Sequence, residues 1–460
     1  MLATRDDLRS QLKEKFNAMM KTLYSQKGAH FQVEILADPT VQDFIGTHAS
    51  KLDQSMRRVE MSDAMRQRLT RSNFIFSGMK TFHELNEAFP SLIDENGNRK
   101  PFEQFLNEVQ SIDSTYNSNY LRAEYNFVQA SAEMAAKWER FMQDGDRYYL
   151  QYRTAGDDKV RPEHAALNGV TLPPSDPFWE EFYPPNGWNC RCTVVQVRKS
   201  KYSATDHDEA MELGNEALQR DTKGIFRFNP GKEGTSVPDY NPYTIRKCRN
   251  CDIAKGKTNL AADISDNDLC AACRWIHMCE LRDSLVKKGT KIPVEEKEAI
   301  LSLPYDQQFI PEYRGASGVV NQHFLHCIGN VDREFVFDVA KAFADAECDV
   351  WINPEIRSDS PSRRTFYSDL PPEARCNPDL RSALYGYVDV KSPFAENNCG
   401  KNAVHACHNQ MSCVCLTNHR MKITDEQIAH RTKLIWKDPN YTKDYVFWLI
   451  DGVLRKYKRP

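Results

Sequence analysis

The sequence predicts a multidomain α+β protein, and three observations lead to that prediction. The chain has 460 residues, which is too many for a single hydrophobic core. Residues 1–142 carry apolar side chains at the three- and four-residue spacing of amphipathic helices. Residues 321–460 alternate between helical and strand patterns, and the stretch between these regions holds a loop-rich segment and two Cys-x2-Cys pairs.

Composition narrows the classes of protein that fit. Hydrophobic residues make up 40% and aromatic residues 11% of the chain, which excludes global disorder. A net charge of −3 argues against capture of nucleic acid by the whole surface. We expect no membrane span, because no apolar run reaches the ~18–20 residues that a bilayer requires. The first residues lack the apolar core of a signal peptide, so we expect synthesis in the cytoplasm, where the 14 cysteines serve as thiols or metal ligands.

The N-terminal region, residues 1–142, is predicted to consist mainly of helices. Two stripes have apolar residues three or four positions apart. The first consists of Leu8, Leu12, Phe16, Met19 and Leu23. The second consists of Leu121, Tyr125, Val128, Ala132, Ala135, Trp138 and Met142. These stripes indicate helix packing. The polar run from Asp94 to Arg99 is predicted to be a turn between helical blocks.

Residues 143–200 form a loop-rich segment in which polar residues recur between Pro-Pro breaks. His164, Cys190 and Cys192 have the side chains of a metal site, provided that the backbone turns sharply at the Cys-x-Cys. The alternative is that these residues only pack and form hydrogen bonds in an irregular fold, with Arg161 paired to Asp157. The sequence is compatible with both interpretations, a metal site and a purely structural role.

This segment resembles the Mu F-like minor head proteins of tailed phages, the phage head morphogenesis family. The matching residues, in order, are Thr154, Asp157, Val160, Arg161, His164, Ala165, Leu167, Gly169, Leu172, Pro173, Pro174, Asp176, Pro177, Phe178, Trp179, Pro184, Pro185, Gly187, Trp188, Cys190, Arg191 and Cys192. The resemblance covers about the first 200 residues. It implies a head-assembly region over 1–142, a Mu F-like module over 143–200, portal and capsid proteins as partners, and a path from the host bacterial cytoplasm into the virion.

A small zinc module is predicted over residues 246–285, after a Gly- and Pro-rich linker over 201–245. Its ligands would be Cys248, Cys251, Cys270 and Cys273, a spacing typical of a structural four-thiolate zinc site. His277 and Cys279 lie near enough to replace a ligand. A redox role is the rival interpretation, without a thioredoxin-like context to support it.

The same module offers a basic cluster that could contact nucleic acid during packaging. Its members are Arg246, Lys247, Arg249, Lys255 and Lys257. Such a cluster is equally typical of a solvated surface, so binding of nucleic acid there remains an alternative hypothesis.

The C-terminal domain, residues 321–460, is predicted to have the order helix, three strands, helix, strand. That αβββαβ order and the motif Pro378-Asp379…Asp389-x-Lys391 resemble the PD-(D/E)xK nucleases, including the tRNA-cleaving C-terminal domains of contact-dependent toxins. Asp389 and Lys391 are two residues apart on one strand and therefore share a face, and a hairpin near Gly386 brings Asp379 beside them.

The resemblance implies a nuclease with Asp379, Asp389, Lys391 and Glu334 as catalytic residues. Asp379 and Asp389 would bind Mg²⁺, because a hard cation takes oxygen ligands and relieves the repulsion between carboxylates. Asp338 is the fallback for Glu334, and two further residues, Lys401 and Gln410, are candidates for contact with RNA, tRNA or DNA.

Two other interpretations of the C-terminal domain stay open. His405, His408 and His419 with Lys391 could cleave RNA without a metal, as in barnase- or colicin-like ribonucleases. The domain could also be an inactive part of a purely structural virion protein, in which case the motif residues would not converge or would be covered. An active ribonuclease implies an immunity protein in the producing cell.

Overall fold

The computed structural model describes most of the chain and divides it into two compact units. The described residues are 5–26, 28, 30–244, 266–288, 292–303, 305, 308–327, 333–371 and 376–460. The first unit ends at His277 and the second begins at Met278. Among the described residues no helix is both long and apolar enough to cross a bilayer.

The first unit begins with the helices that the apolar stripes predict. They are α1 (Arg5–Ser25), α2 (Pro39–Ser55), α3 (Asp63–Ala88), α4 (Phe102–Glu108), α5 (Gln110–Ser114) and α6 (Leu121–Asp144), with a π-helical turn over Thr115–Tyr120. Side chains cap two of them: Asp38 accepts from the Thr40 amide before α2, and Ser62 accepts from the Met65 amide before α3. Most residues of the predicted stripes are buried in the helix core: Leu12, Phe16, Met19, Leu23, Val128, Ala132 and Ala135. Trp138 is buried in the neighbouring cluster, Leu121 and Tyr125 are half-buried, and Met142 is 42% exposed. The side chain of Leu8 lies outside the described residues.

A fully buried polar cluster ties α2, α3 and α6 together. Lys80 donates three hydrogen bonds, to Glu124 Oε2 (2.7 Å), to the Tyr116 carbonyl in the π-helical turn (2.8 Å) and to His48 Nε2 (3.1 Å). An ammonium has three donors, so each finds an acceptor. Tyr243 donates to the other oxygen of Glu124 (3.1 Å). We call these five residues the helix-core cluster.

The second half of the first unit is a small mixed layer on the helices. Its elements are β1 (Tyr148–Arg153), α7 (Pro162–Ala165), β2 (Thr171–Leu172), α8 (Phe178–Glu181), β3 (Thr193–Arg198), α9 (His207–Ala217) and α10 (Pro230–Glu233). The strands form an antiparallel sheet in the order β2-β1-β3. Residues 201–245, predicted as a linker, contain α9 and α10, and Phe228, Val237 and Tyr243 from this stretch are buried in the helix core.

The boundary between the units falls within α11 (Asp266–Lys288). The second unit continues with α12 (Val294–Leu301), β4 (Phe309–Arg314), β5 (Val319–His323), α13 (Arg333–Ala346), β6 (Val350–Ile352), α14 (Arg363–Phe366), β7 (Leu380–Ser382), β8 (Gly386–Lys391), α15 (Cys399–Asn409), β9 (Cys413–Thr417), α16 (Asp425–Lys437), β10 (Tyr445–Ile450) and β11 (Val453–Lys458). The predicted order of helix, three strands, helix and strand is confirmed from α13 to β9, with the short α14 inserted.

The second unit is built on a mixed sheet of eight strands in the order β11-β10-β9-β8-β7-β6-β5-β4. β8, β9 and β10 are parallel, as are β5 and β6, and the other neighbours are antiparallel. Alternate residues of β9 belong to opposite cores: Cys415 packs in the cluster that contains Val339 of α13, and Val414 in the cluster that contains Ala403 of α15. Helices therefore cover both faces, and the predicted mixed α+β class is confirmed.

Candidate active site and a buried histidine–cysteine cluster

The β7–β8 hairpin brings Asp379, Asp389 and Lys391 together. Leu380 pairs with Val388, so Asp379, just before β7, stands opposite Asp389 on β8. Asp389 and Lys391 lie two residues apart and share a face of the strand, and Lys391 Nζ lies 2.6 Å from Asp389 Oδ2. Asp379 Oδ2 accepts a hydrogen bond from the Val390 amide at 2.7 Å. We call these three residues the hairpin triad.

The charges of the hairpin triad do not balance. Burial raises the pKa of Asp379 well above its usual range, the negative charge of Asp389 raises it further, and Lys391 opposes both. Asp379 also shares a hydrogen bond with Asp389, whose side chain is buried, with 1% of the residue exposed. Two neighbouring carboxylates thus face a single lysine, and a second cation would relieve the repulsion between them. Their oxygens are the donors that Mg²⁺ prefers, so the residues present fit such an ion.

Three side chains hold the loop that carries Asp379. Asn353 donates from its side-chain Nδ2 to the Pro378 carbonyl and from its backbone N–H to the Asp379 carbonyl, both at 2.9 Å. Gln410 Oε1 accepts from the Asn377 amide at 2.9 Å. Arg363, on α14, donates to Asn377 Oδ1 and to the Ile356 carbonyl, each at 2.8 Å. Gln410, predicted to touch substrate, therefore holds the motif loop in this structure.

The sequence did not predict the positioning roles of Asn353, which follows β6, and Arg363, which lies on α14. An asparagine beside a proline and two adjacent arginines in a polar segment resemble an ordinary surface loop. Their positions in the sequence carry no periodic signal, because they bind backbone carbonyls that lie 25 residues away for Asn353 and 13 residues away for Arg363.

The remaining nuclease candidates lie elsewhere in the second unit. The side chain of Glu334 is outside the described residues, and its fallback, Asp338, has an oxygen 3.8 Å from His419 Nε2. Lys401 is exposed on α15.

The candidates for metal-free cleavage are dispersed. His405 and His408 are exposed on α15, and the centroid of the His419 ring lies 4.6 Å from that of Phe335, with the two rings tilted by 47°. Among the contacts of the described residues, none joins these histidines to Lys391.

In the first unit, His164, Cys190 and Cys192 form a compact, largely buried cluster. His164 Nδ1 lies 3.9 Å from the Sγ atom of each cysteine, and the three possible ligand atoms lie within 4.8 Å of one another. His164 is on α7, and the cysteines precede β3. The sharp turn that brings them together is at Asn189, where φ is 58°, immediately before the pair rather than within it.

Charged neighbours surround this histidine–cysteine cluster. Arg161 donates to the Trp188 carbonyl at 2.6 Å, and Asp157 makes a two-pronged ion pair with Arg191, with both distances 2.6 Å. The predicted pairing of Arg161 with Asp157 is therefore wrong, because Arg191, between the two cysteines, presents its guanidinium to Asp157 instead. Gly187 leaves room for Arg161: a Cβ there would lie 2.8 Å from the guanidinium.

The pKa values of the two thiols are shifted in opposite directions. Hydrogen bonding from Cys192, together with His164, lowers the pKa of Cys190 well below its usual range although burial opposes it. Hydrogen bonding to Cys190 and burial raise the pKa of Cys192.

The predicted zinc module falls mostly outside the described residues. This holds for Cys248, Cys251, the side chain of Cys270 and the basic cluster of Arg246, Lys247, Arg249, Lys255 and Lys257. Cys273 is half-buried on α11, one turn after Cys270.

Comparison with known proteins bears on the first unit. Residues 95–195 match the family described as Phage Mu protein F like protein. This segment includes the histidine–cysteine cluster and the end of the helical region, so the chain carries a Mu F-like region there. The resemblance inferred from the sequence is confirmed over that range.

Two curated relatives are similar to part of the chain. The putative capsid assembly protein F of Escherichia phage Mu is 33% identical over 164 residues, which is 35% of this chain and 35% of that protein. The Mu-like prophage FluMu F protein of Haemophilus influenzae is 32% identical over 147 residues, 30% of this chain and 32% of the relative. The chain thus spans about a third of the length of each relative. No solved structure matches it significantly.

Proposed function

We propose that this chain is a capsid-assembly protein of a Mu-like phage or prophage whose second unit is a metal-dependent nuclease. The matched region and the name of the phage Mu relative support the first part. On this proposal the first unit contacts portal and capsid proteins. The second part rests on one observation, the convergence of the hairpin triad at the edge of a β-hairpin.

The residues of the hairpin triad have separate tasks in phosphodiester hydrolysis. Asp379 and Asp389 would hold Mg²⁺, which when bound polarises a phosphate oxygen and lowers the pKa of an attacking water. Lys391, whose side chain is 24% exposed, is placed to donate to a phosphate oxygen or to orient the water. Asn353, Arg363 and Gln410 are positioning residues, because they fix the loop on which Asp379 lies.

The substrate class that we propose is RNA, with tRNA first, following the resemblance to contact-dependent toxin domains. Phosphate chemistry at the hairpin triad does not by itself distinguish RNA from DNA. An immunity protein that covers this site in the producing cell is part of the proposal.

A second candidate, an inert structural unit, has one observation in its favour. Asp389 is 1% exposed, so its carboxylate is covered in this structure. A nuclease requires that phosphate or metal reach Asp389 past Asp379 and Lys391, whereas an inert unit does not.

The test is cleavage of total tRNA, other RNA and plasmid DNA by the purified full chain, with Mg²⁺ or with a chelator. We expect cleavage with Mg²⁺ only, reduced by at least about 100-fold in Asp389→Asn and Lys391→Met, the loss typical of a group that stabilises transition-state charge. The matched controls are Asp444→Asn and Lys433→Met, which change exposed residues of the same unit.

Each contrary result has a distinct meaning. Cleavage that resists the chelator and survives in Asp389→Asn would move the catalytic centre to the histidines. An absence of cleavage by folded protein on every substrate would favour the inert structural unit.

A further inference from the structure

The histidine–cysteine cluster of the first unit is independent of the nuclease proposal and lies in the Mu F-like region. Its residues come from α7 and from the segment before β3, so nothing in local helix or strand geometry requires that they meet. His164 is 4% exposed, and its Nδ1 faces two sulfurs, which are weak hydrogen-bond partners. A buried imidazole nitrogen placed in this way lacks a strong partner among the atoms that the cluster itself offers.

We propose that His164, Cys190 and Cys192 hold a zinc-class divalent ion whose fourth position opens to the adjoining cavity. In a tetrahedral zinc site with Zn–S near 2.3 Å and Zn–N near 2.05 Å, the nitrogen and each sulfur lie about 3.6 Å apart. His164 Nδ1 is 3.9 Å from both sulfurs, so a shift of a few tenths of an ångström brings the nitrogen to the tetrahedral distance from each sulfur.

The charges of the site also suit a divalent ion. Zinc binds cysteines as thiolates, and two thiolates carry the two negative charges that a divalent cation neutralises. Arg161 lines the adjoining cavity and adds positive charge at its rim. The soft sulfur donors favour zinc over magnesium, which prefers oxygen.

The fourth position of this site faces a cavity rather than protein. The cavity has a volume of about 290 Å³ and is lined by Lys159, Arg161 and Arg191 as well as the three ligands. A fully structural zinc site has four protein ligands, whereas three ligands and an opening leave room for water or an exogenous group. The cationic lining favours water or a small anion at that position.

The ion would add a bridge between two segments that are also joined by the Arg161–Trp188 hydrogen bond and the Asp157–Arg191 ion pair. α7 has only four residues, and the Asp157–Arg191 ion pair beside it is half-exposed, so solvent screens it. A metal bridge from α7 to the start of β3 would fix this irregular layer as zinc fixes small domains.

The test separates this site from the predicted zinc module on the same chain. The full chain carrying Cys248→Ser and Cys251→Ser serves as the background, loaded with Zn²⁺, dialysed and analysed for metal content. We expect about one ion per chain to remain, and to be lost when either His164→Ala or Cys192→Ser is added. Cys348→Ser is the control, because that buried cysteine belongs to the other unit and contacts a serine hydroxyl.

A spectroscopic readout keeps the proposal testable if one variant fails to fold. Loaded with Co²⁺, the background chain should show thiolate-to-cobalt charge transfer and the intense visible bands of a tetrahedral ion, and ¹¹³Cd should give a resonance typical of two sulfurs and one nitrogen. A background chain that retains no metal, retention in both ligand variants, or a Cys190–Cys192 disulfide in the freshly purified protein would each overturn the proposal.

Discussion

The helix-core cluster of the first unit and the hairpin triad of the second each place a lysine against buried carboxyl groups, but the pKa of the carboxyl group shifts in opposite directions in the two. Burial works to raise the pKa of Glu124, yet Lys80 and His48 lower it to about 2. Burial and Asp389 instead raise the pKa of Asp379 well above its usual range. The first cluster satisfies its charge and serves stability, whereas the second holds an excess of negative charge that a cation would relieve.

Removal of the carboxylate from the helix-core cluster should have the largest effect on stability. Glu124→Gln leaves the buried ammonium of Lys80 without its counter-charge, which costs about 3–5 kcal/mol. Hydrogen exchange measured by mass spectrometry on peptides from α3 and α6 checks this. Glu133→Gln, an exposed change on the same helix, should alter stability by less than about 0.5 kcal/mol. An equal loss in both variants would remove the contrast between the clusters.

The hairpin triad should respond in the opposite direction. Asp379→Asn relieves the repulsion between the two carboxylates, so β7 and β8 should be at least as protected from exchange as in the unmodified chain without metal. Mg²⁺ at about 100 times its Kd should add about 2.7 kcal/mol to the unmodified second unit and nothing to this variant. Destabilisation by Asp379→Asn, with no effect of Mg²⁺ on either protein, would make the triad a structural group like the helix-core cluster.

The pH dependence of stability gives a further test at Glu84, a buried carboxyl group of the first unit. Burial raises the pKa of Glu84 to about 8, well above that of an exposed glutamate. The folded chain therefore holds a proton that the unfolded chain loses above about pH 4.3, so this group's contribution to stability falls as pH rises toward 8. The difference in unfolding free energy between Glu84→Gln and the unmodified chain should move in favour of the variant over that interval. A difference that stays constant with pH would show that Glu84 ionises normally.

The smallest expected effects on stability come from replacing two glycines, one in each unit, by alanine. Gly386 closes the β7–β8 hairpin with φ at 68°, and an added Cβ would meet no other atom within 4 Å, so Gly386→Ala costs only backbone strain, about 1 kcal/mol. Gly46 lies inside α2 with similar space, and Gly46→Ala should stabilise by about 0.5–1 kcal/mol. Denaturant midpoints measure both, and effects of the same sign would show that the hairpin does not depend on the left-handed turn.

Much of the C-terminal site was predictable from the sequence because it depends on local register. Two residues separated by one position share a strand face, and a tight hairpin sets which residue stands opposite. Asp379, Asp389 and Lys391 therefore meet as the spacing predicts. The role of Gln410 was not predictable, since its partner is a backbone amide from a segment 33 residues away.

The sequence by itself determined the periodic helices, the order of elements from α13 to β9, the spacing of the hairpin triad and the Mu F-like region. These features follow from short-range geometry or from ordered motif residues. Only the tertiary structure decided that Lys80 and Glu124 are buried partners, that Asp157 pairs with Arg191, and that His164 meets both cysteines. A charged residue on a helix looks like surface until the packing of other helices removes its water, and long-range contacts of this kind leave no period in the chain.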